Sequence, residues 1–370
     1  MRILHSADWH LHPERPERFR VLEAIEAILE RDPAEVVVLA GDLFDDPRAA
    51  YELRPELRRW FEALERPVLL IPGNHDEEAF CEGADFGQNV RVLGPEPVEQ
   101  NGVLFDGLWF RSGRRAVREL DRLQARWAGA QTVVLVAHVS FYHRAPQWRN
   151  RELAQHEGLD WGRDCPLLAE DVLGRPIAYL ALGHWHQHLS AQVGTTTVAY
   201  PGTPVPLNET ELGPRYVALV ELGPGSARLY ARALEGVPEI RFLREYVYGN
   251  DSEALEKLDR LLRQGGEQVR LRLRVEGFLS GLERDFRSRL QELRSAHRGR
   301  WAEITIEFAP VQIPEPLKPL LESILGAEPP DPDPVVRLEE GLARWARELS
   351  REAVRRRALE LVVGALLEGS

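Results

Sequence analysis

Ahead of residue 190, five short apolar runs each break off into a polar cluster: Asp8-Trp9-His10, Gly41-Asp42-Leu43-Phe44-Asp45, Gly73-Asn74-His75-Asp76, Ala137-His138 and Gly183-His184-Trp185-His186. Runs this short and this apolar read as strands covered on both faces, the kind found where helices flank a sheet. The spacing predicts strands over 2–6, 35–40, 68–71, 132–137, 177–182 and 196–200, with helices over 18–31, 51–64 and 114–127. That alternation is the pattern of an α/β layered domain, and every polar cluster falls at the end of a strand. Loops leaving strand ends are where such folds build sites, because the sheet holds them while the backbone there is free to curve.

From about residue 239 the pattern becomes strand 240–248, helix 252–263, strand 268–275, helix 281–296 and strand 302–308, a βαβαβ unit large enough for a small second domain. Residues 310–334 are rich in proline and read as a linker, with at most a short helix over 317–325. Residues 335–367 carry Leu, Ala, Arg and Glu at helical spacing, which predicts one or two terminal helices. The expected domains are therefore 1–236, 237–310, a linker over 311–334 and a helical tail over 335–370.

Composition narrows the function classes. A chain of 370 residues, 44% hydrophobic, can bury cores of this size. The start Met1-Arg2-Ile3-Leu4-His5 meets polar residues at once, and Arg, Asp or Glu punctuates every apolar run. These features argue against a targeting segment or a membrane span, and a cytoplasmic location is expected. Cys81 and Cys165 are too few for a disulfide scaffold or a thiolate zinc site. The net charge of −12 excludes a surface that is basic throughout, so a nucleic acid would have to be held by local arginines and bound cations.

Taken singly, each polar cluster is ordinary turn or cap chemistry, since Gly and Asn tolerate left-handed backbone and a lone His is usually a bonded core residue. Unrelated turns, however, have no reason to set only hard-oxygen and imidazole ligands at the ends of successive strands. Hydrolysing a phosphodiester calls for a hydroxide near neutral pH and for neutralised non-bridging oxygens, and two cations about 3.5–4 Å apart supply both. Asp42 is expected to bridge them. Asp8, His10 and His186 would complete one position, and Asn74, His138 and His184 the other. The single residue between Asp8 and His10, and between His184 and His186, puts each pair on one side of an extended segment. Oxygen and imidazole ligands without thiolate suit Mn(II), with Fe(II), Ni(II) or Zn(II) as alternatives. His75 is the expected catalytic residue, facing the scissile phosphate to stabilise or protonate the leaving oxygen, with Asp76 orienting its ring.

In this order, Asp-x-His, Gly-Asp, Gly-Asn-His-Asp, a lone His and Gly-His-x-His resemble the signature of the calcineurin-like metallophosphoesterase superfamily, with every ligand position filled. Within it, residues 5–11, 41–45 and 182–186 look like the SbcD-type exonuclease subunits of DNA double-strand-break repair nucleases. Residues 200–207 followed by 209–211 resemble a further element of those proteins, and the similarity spans roughly 1–221. The resemblance implies an α/β fold, a layered β-sandwich flanked by helices, with the βαβαβ unit as an α+β capping domain that shapes DNA entry. It implies manganese-dependent exonuclease action on duplex DNA, endonuclease action on single strands or hairpins, an SbcC-type coiled-coil ATPase partner docking on the terminal helices, and a homodimer. The chain departs from the pattern at His12, where many relatives have glycine, at Asp45, where some have histidine, and in the tail from Val335.

The same metal core also serves phosphomonoesterases, nucleotidases and small-molecule phosphodiesterases. Leu43-Phe44-Asp45-Asp46-Pro47 stands where serine/threonine phosphatases carry an arginine-containing loop, which disfavours that branch. A DNA-end-binding scaffold beside an ATPase is the non-catalytic rival, and the intact ligand set argues against it. His5, His12, His143, His156, His188 and His297 are expected to be surface or structural residues, with His12 and His188 the nearest to a substrate. Trp9 and Trp185 are expected to pack beneath the ligands. Arg144, Arg149 and Arg151 around Trp148 read either as a phosphate-contacting loop or as a solvated one. Arg351 and 355–357, with Leu359, Leu361, Val362 and Val363, suit an amphipathic helix that packs on its own domain or on a partner.

Overall fold

The computed structural model describes residues 1–80, 84–94, 96–111, 115–143, 165–249, 251–279 and 282–310. The chain divides into two compact units, Met1–Ile240 and Arg241–Ser370. The first holds β1 (Arg2–Ser6), α1 (Arg20–Arg31), β2 (Val36–Ala40), α2 (Pro47–Ala63), β3 (Val68–Ile71), β4 (Val90–Val92), β5 (Val98–Gln100), β6 (Val103–Leu108), α3 (Val117–Gln124) and β7 (Val133–His138). There follow β8 (Ser140–Tyr142), β9 (Pro166–Leu168), β10 (Tyr179–Gly183), β11 (Leu189–Val193), β12 (Thr196–Tyr200), β13 (Tyr216–Gly223) and β14 (Ser226–Ala233). One six-stranded sheet runs β14-β13-β1-β2-β3-β4 and a second runs β11-β12-β10-β7-β6-β5. The six strands expected from the sequence are all present, within two residues at either end.

Alternation within the apolar strands explains the layering. Every residue of β2 is buried, yet Val36, Val38 and Ala40 point into one core while Val37 and Leu39 point into another. Val134 and Val136 of β7 join the first of these cores, with Ile3, Leu69, Phe105, Tyr179 and Ala181. The opposite face of the first sheet packs on α1 and α2 through Val21, Ile25, Leu53, Leu57 and Phe61. The opposite face of the second packs on Leu120 and Leu123 of α3. Two sheets are therefore pressed face to face with helices outside them, an α/β layered sandwich. Burying an aliphatic side chain is worth about 1.5–3 kcal/mol, so these three apolar layers set the register of every strand.

The spacing predicts that α2 starts at residue 51, whereas the helix begins at Pro47. Asp46 is its N-cap, accepting from Ala49 N at 2.7 Å, and proline at the first helical position is preorganised for the turn. The hairpin β13–β14 has no counterpart among the expected elements. It closes the first sheet by pairing antiparallel with β1, Leu4 opposite Leu219.

The second unit carries β15 (Glu239–Gly249), β16 (Gly266–Leu279) and β17 (Trp301–Pro310), in that order across one sheet, with helices Asp251–Leu262 and Glu283–His297 between them. Leu271, Leu273, Val275, Ile304 and Phe308 of the strands pack with Leu258, Leu262, Phe286 and Leu290 of the helices. His297 Nε2 lies 2.7 Å from Asp259 and ties the two helices together. The expectations for the linker and the terminal helices lie outside the described residues, as do Cys81, His156, Trp148 with its three arginines, and the arginines of 351–357. Among the described residues no helix is long and apolar enough to cross a membrane.

Candidate metal centre

Strands β1, β2 and β3 run parallel, as do β7 and β10, so their carboxyl ends open on one edge of the sandwich. Asp8 and His10 follow β1, Asp42 follows β2, and Asn74 and His75 follow β3. His138 ends β7 directly opposite Gly183 of β10, which is followed by His184 and His186. The loops after β1 and β2 run side by side, with Asp8 N donating to Gly41 O and His10 N to Asp42 O, both at 3.0 Å. Asp8, His10, Asp42 and His184 have φ of 55°, 46°, 50° and 105°. A non-glycine residue in this region costs of order 1–3 kcal/mol, and such strain persists only where the surroundings enforce it. All four are expected ligands.

Close packing explains two of the glycines, between the sheets at Gly41 and between neighbouring loops of one sheet at Gly73. At Gly41, whose φ is +90°, a Cβ would stand 2.3 Å from His138 Nδ1, and at Gly73 a Cβ would stand 2.0 Å from Asp42 Oδ1. Any larger residue would push the imidazole or the carboxylate out of place.

The seven expected ligands converge. One donor atom each from Asp8, His10 and His186 lies within 4.8 Å of the others, as does one each from Asp8, Asp42 and His138. Asp42 Oδ2 is 3.2 Å from His138 Nε2 and 3.6 Å from His10 Nε2, so this carboxylate faces imidazoles of both groups. Asn74 Oδ1 is 3.0 Å from both His138 Nε2 and His184 Nδ1. A third cluster joins His10, Asp45 and His75.

The chemistry of this donor set calls for a cation. His138 Nδ1 lies 2.8 Å from the carbonyl of Ala40, to which it donates, so Nε2 turns a lone pair toward the oxygens of Asp42 and Asn74. That arrangement is repulsive unless a proton or a metal ion stands between them. His10 Nε2 is buried with no hydrogen-bond partner, which is costly in the absence of a ligand. Burial would depress His138, but the carboxylates of Asp42 and Asp8 outweigh it and push the imidazolium up to about 9. Burial raises Asp8 to about 7 against the pull of His138 and His186. Asp42, despite its burial, is held below the usual carboxylate range by His138 and His10. Burial, together with the charge on His138, takes His184 down to about 3. The residues present thus fit divalent cations, in two groups that have Asp8 in common and whose His10 and His138 both face Asp42.

His75 is exposed; its Nδ1 lies 3.2 Å from the carbonyl of Asp45, and its ring meets that of His10 edge-on with centroids 4.8 Å apart. The expectation that Asp76 orients this ring is corrected by the structure. Asp76 is buried and accepts from Leu43 N at 2.7 Å, Phe44 N at 3.1 Å and Gly73 N at 2.8 Å, pinning the β2 loop to the β3 loop. Burial raises its carboxyl to about 7, with the negative charge of Asp42 adding to the effect. The two tryptophans lie under the ligands: Trp9 is buried with its Nε1 donating to Ser6 at 2.8 Å, and Trp185 stacks on Tyr200.

Two carboxylates that sequence reasoning did not pair with ligands stand behind them. Asp45 Oδ1 lies 3.1 Å from His10 Nδ1, and Glu211 Oε1 lies 2.9 Å from His186 Nδ1. Asp45 was marked only as a departure from the pattern that the resemblance implies. Glu211 stands in a segment marked only by resemblance, where nothing in the spacing separates it from Glu209.

Residues 1–188 match the family model described as calcineurin-like phosphoesterase. The chain is 26% identical over 342 residues to the SbcD component of the SbcCD nuclease of Bacillus subtilis, covering 81% of this chain and 84% of that protein. It is 31% identical over 257 residues to the DNA double-strand break repair protein Mre11 of Haloferax volcanii, covering 64% of this chain and 53% of that protein. It is also 25% identical over 252 residues to an uncharacterized metallophosphoesterase, YhaO of Bacillus subtilis, covering 60% and 58%.

Proposed function

We propose that this chain, which belongs to the calcineurin-like phosphoesterase family, is a metal-dependent nuclease that hydrolyses DNA phosphodiesters in repair, as a double-strand exonuclease and a single-strand or hairpin endonuclease. The observation that carries the reading is two ligand groups with Asp8 in common, whose His10 and His138 both face Asp42, in a chain whose relatives include a nuclease component and a break-repair protein. Asp8, His10 and His186 would hold one ion, Asn74, His138 and His184 the other, and Asp42 both; Mn(II) is the proposed metal. Such ions, when bound, supply Lewis acidity for the phosphate oxygens and a low-pKa water.

The protein's own groups do the rest. Asp42 is fixed by accepting from His75 N at 2.9 Å, and Asp8 by accepting from His184 N at 2.9 and 3.1 Å, so neither carboxylate has to reorganise when substrate arrives. His75 donates from Nδ1 to the Asp45 carbonyl, which orients its ring and leaves Nε2 to stabilise or protonate the leaving oxygen. We further propose 237–310 as a capping domain shaping DNA entry, and an SbcC-type ATPase as partner of 335–370 in a homodimeric assembly.

The test is a time course on end-labelled duplex and hairpin DNA with Mn(II), Mg(II) or chelator, for wild type and Asp42→Asn. Cleavage that needs Mn(II) and is lost in Asp42→Asn supports the nuclease. Turnover of an aryl phosphate, with both DNA substrates left intact, would overturn it in favour of a small-molecule phosphoesterase.

A further inference from the structure

The four imidazoles that face the centre differ in what stands behind them. The rings of His10 and His186, which belong with Asp8, each point Nδ1 at a carboxylate, Asp45 at 3.1 Å and Glu211 at 2.9 Å. Their Nε2 atoms are the nitrogens left for a cation. His138 has the carbonyl of Ala40 behind it, and the side-chain hydrogen-bond partner of His184 is Asn74. Among the described residues, neither is hydrogen-bonded to a carboxylate on that side; the nearest to His138 Nδ1 is Asp8 Oδ1, at 4.0 Å.

Both carboxylates are themselves held. Asp45 accepts from Arg18 at 3.2 Å, and the same guanidinium, almost wholly buried, donates to the His10 carbonyl. Glu211 accepts from Thr203 Oγ1 at 3.0 Å, Leu207 N at 2.9 Å and Asn208 Nδ2 at 2.6 Å, with Arg215 3.9 Å away. An acceptor fixed in this way locks the ring it bonds and makes the far nitrogen a better donor to a metal. Loss of one such partner typically lowers metal affinity about 10- to 100-fold.

We propose that Asp45 and Glu211 are positioning residues that make the Asp8–His10–His186 position the tight, slowly exchanging cation site, leaving the Asn74–His138–His184 position exchangeable. This rests on the two-cation reading above.

The full-length protein, stripped with chelator, is titrated with Mn(II) alone while free Mn(II) is followed by electron paramagnetic resonance. Wild type is expected to show two classes of site. Asp45→Asn and Glu211→Gln should each weaken the tight class about 10- to 100-fold and leave the weak class unchanged. The Asp45 side chain is 35% exposed, so its amide variant can fold even if Glu211→Gln does not, and Asp45→Glu should restore part of the affinity. Two equal classes in wild type, an unchanged tight class in Asp45→Asn, or loss of the weak class instead would overturn the proposal and leave the two-cation centre standing. Binding of one ion or none by wild type would overturn the two-cation reading itself.

Discussion

Removal of the Asp76 carboxylate should loosen the metal centre without touching a ligand. Its oxygens accept from three buried backbone groups, Leu43 N, Phe44 N and Gly73 N, and so tie the loop that carries Asp42 to the turn that carries Asn74. A buried N–H left without an acceptor costs about 1–3 kcal/mol. Asp76→Ala strands three, and water entering the vacated space recovers part of the loss, so about 3–5 kcal/mol is expected. Asp76→Asn keeps one oxygen for Leu43 and Phe44 but turns its amide toward the Gly73 N–H, so about 1–3 kcal/mol is expected. A unit of this size shifts by roughly 2–4 °C per kcal/mol, which puts the alanine variant about 10 °C below wild type. Thermal unfolding with chelator present separates this effect from metal binding, and metal content by mass spectrometry follows the second consequence, a fall in Mn(II) uptake. Both variants unfolding within about a degree of wild type would refute the claim that this carboxylate holds the two loops.

Other expectations follow from the same geometry. His75→Ala should lower DNA cleavage by about 10²- to 10⁴-fold with Mn(II) content unchanged; a variant that loses its metal would refute a purely catalytic role. Gly41→Ala needs both a left-handed alanine and a shifted His138, so it should cost more than ~1 kcal/mol and weaken Mn(II) binding, and a variant with wild-type affinity would contradict the close packing. His138 is pushed up from 6.5 to about 9, so its contribution to stability is complete below pH 6.5 and is lost as the pH rises through about 9. With chelator, Tm should therefore fall between about pH 7 and 9, and saturating Mn(II) should lessen the fall because the cation takes the proton's place; a flat Tm in that window with chelator would count against it.

The parts of the molecule that local chemistry dictates were open to reading in the sequence. The strands β1, β2, β3, β7, β10 and β12 announce themselves as apolar runs stopped by Gly, Pro, Asp or His, and the βαβαβ unit by its periodicity. The hairpin β13–β14 escapes such a reading because half of it is solvent-facing, and its pairing with β1 joins residues more than two hundred positions apart. Asp76 goes to the wrong neighbour because adjacency in sequence suggests His75, whereas the groups it accepts from lie back in the β2 loop. Glu211 reaches His186 across 25 residues, a distance over which composition carries no geometric information.

The groups gathered around Asp42 come from both sheets: Asp8, His10, Asp42 and Asn74 from the edge of one, His138, His184 and His186 from the edge of the other. A chain in which either sheet has formed alone therefore owns only part of the proposed cage. If that cage holds ions, their uptake would come late in folding, and a bound ion would act as a clasp across the sandwich, slowing the separation of its halves in proportion to its affinity.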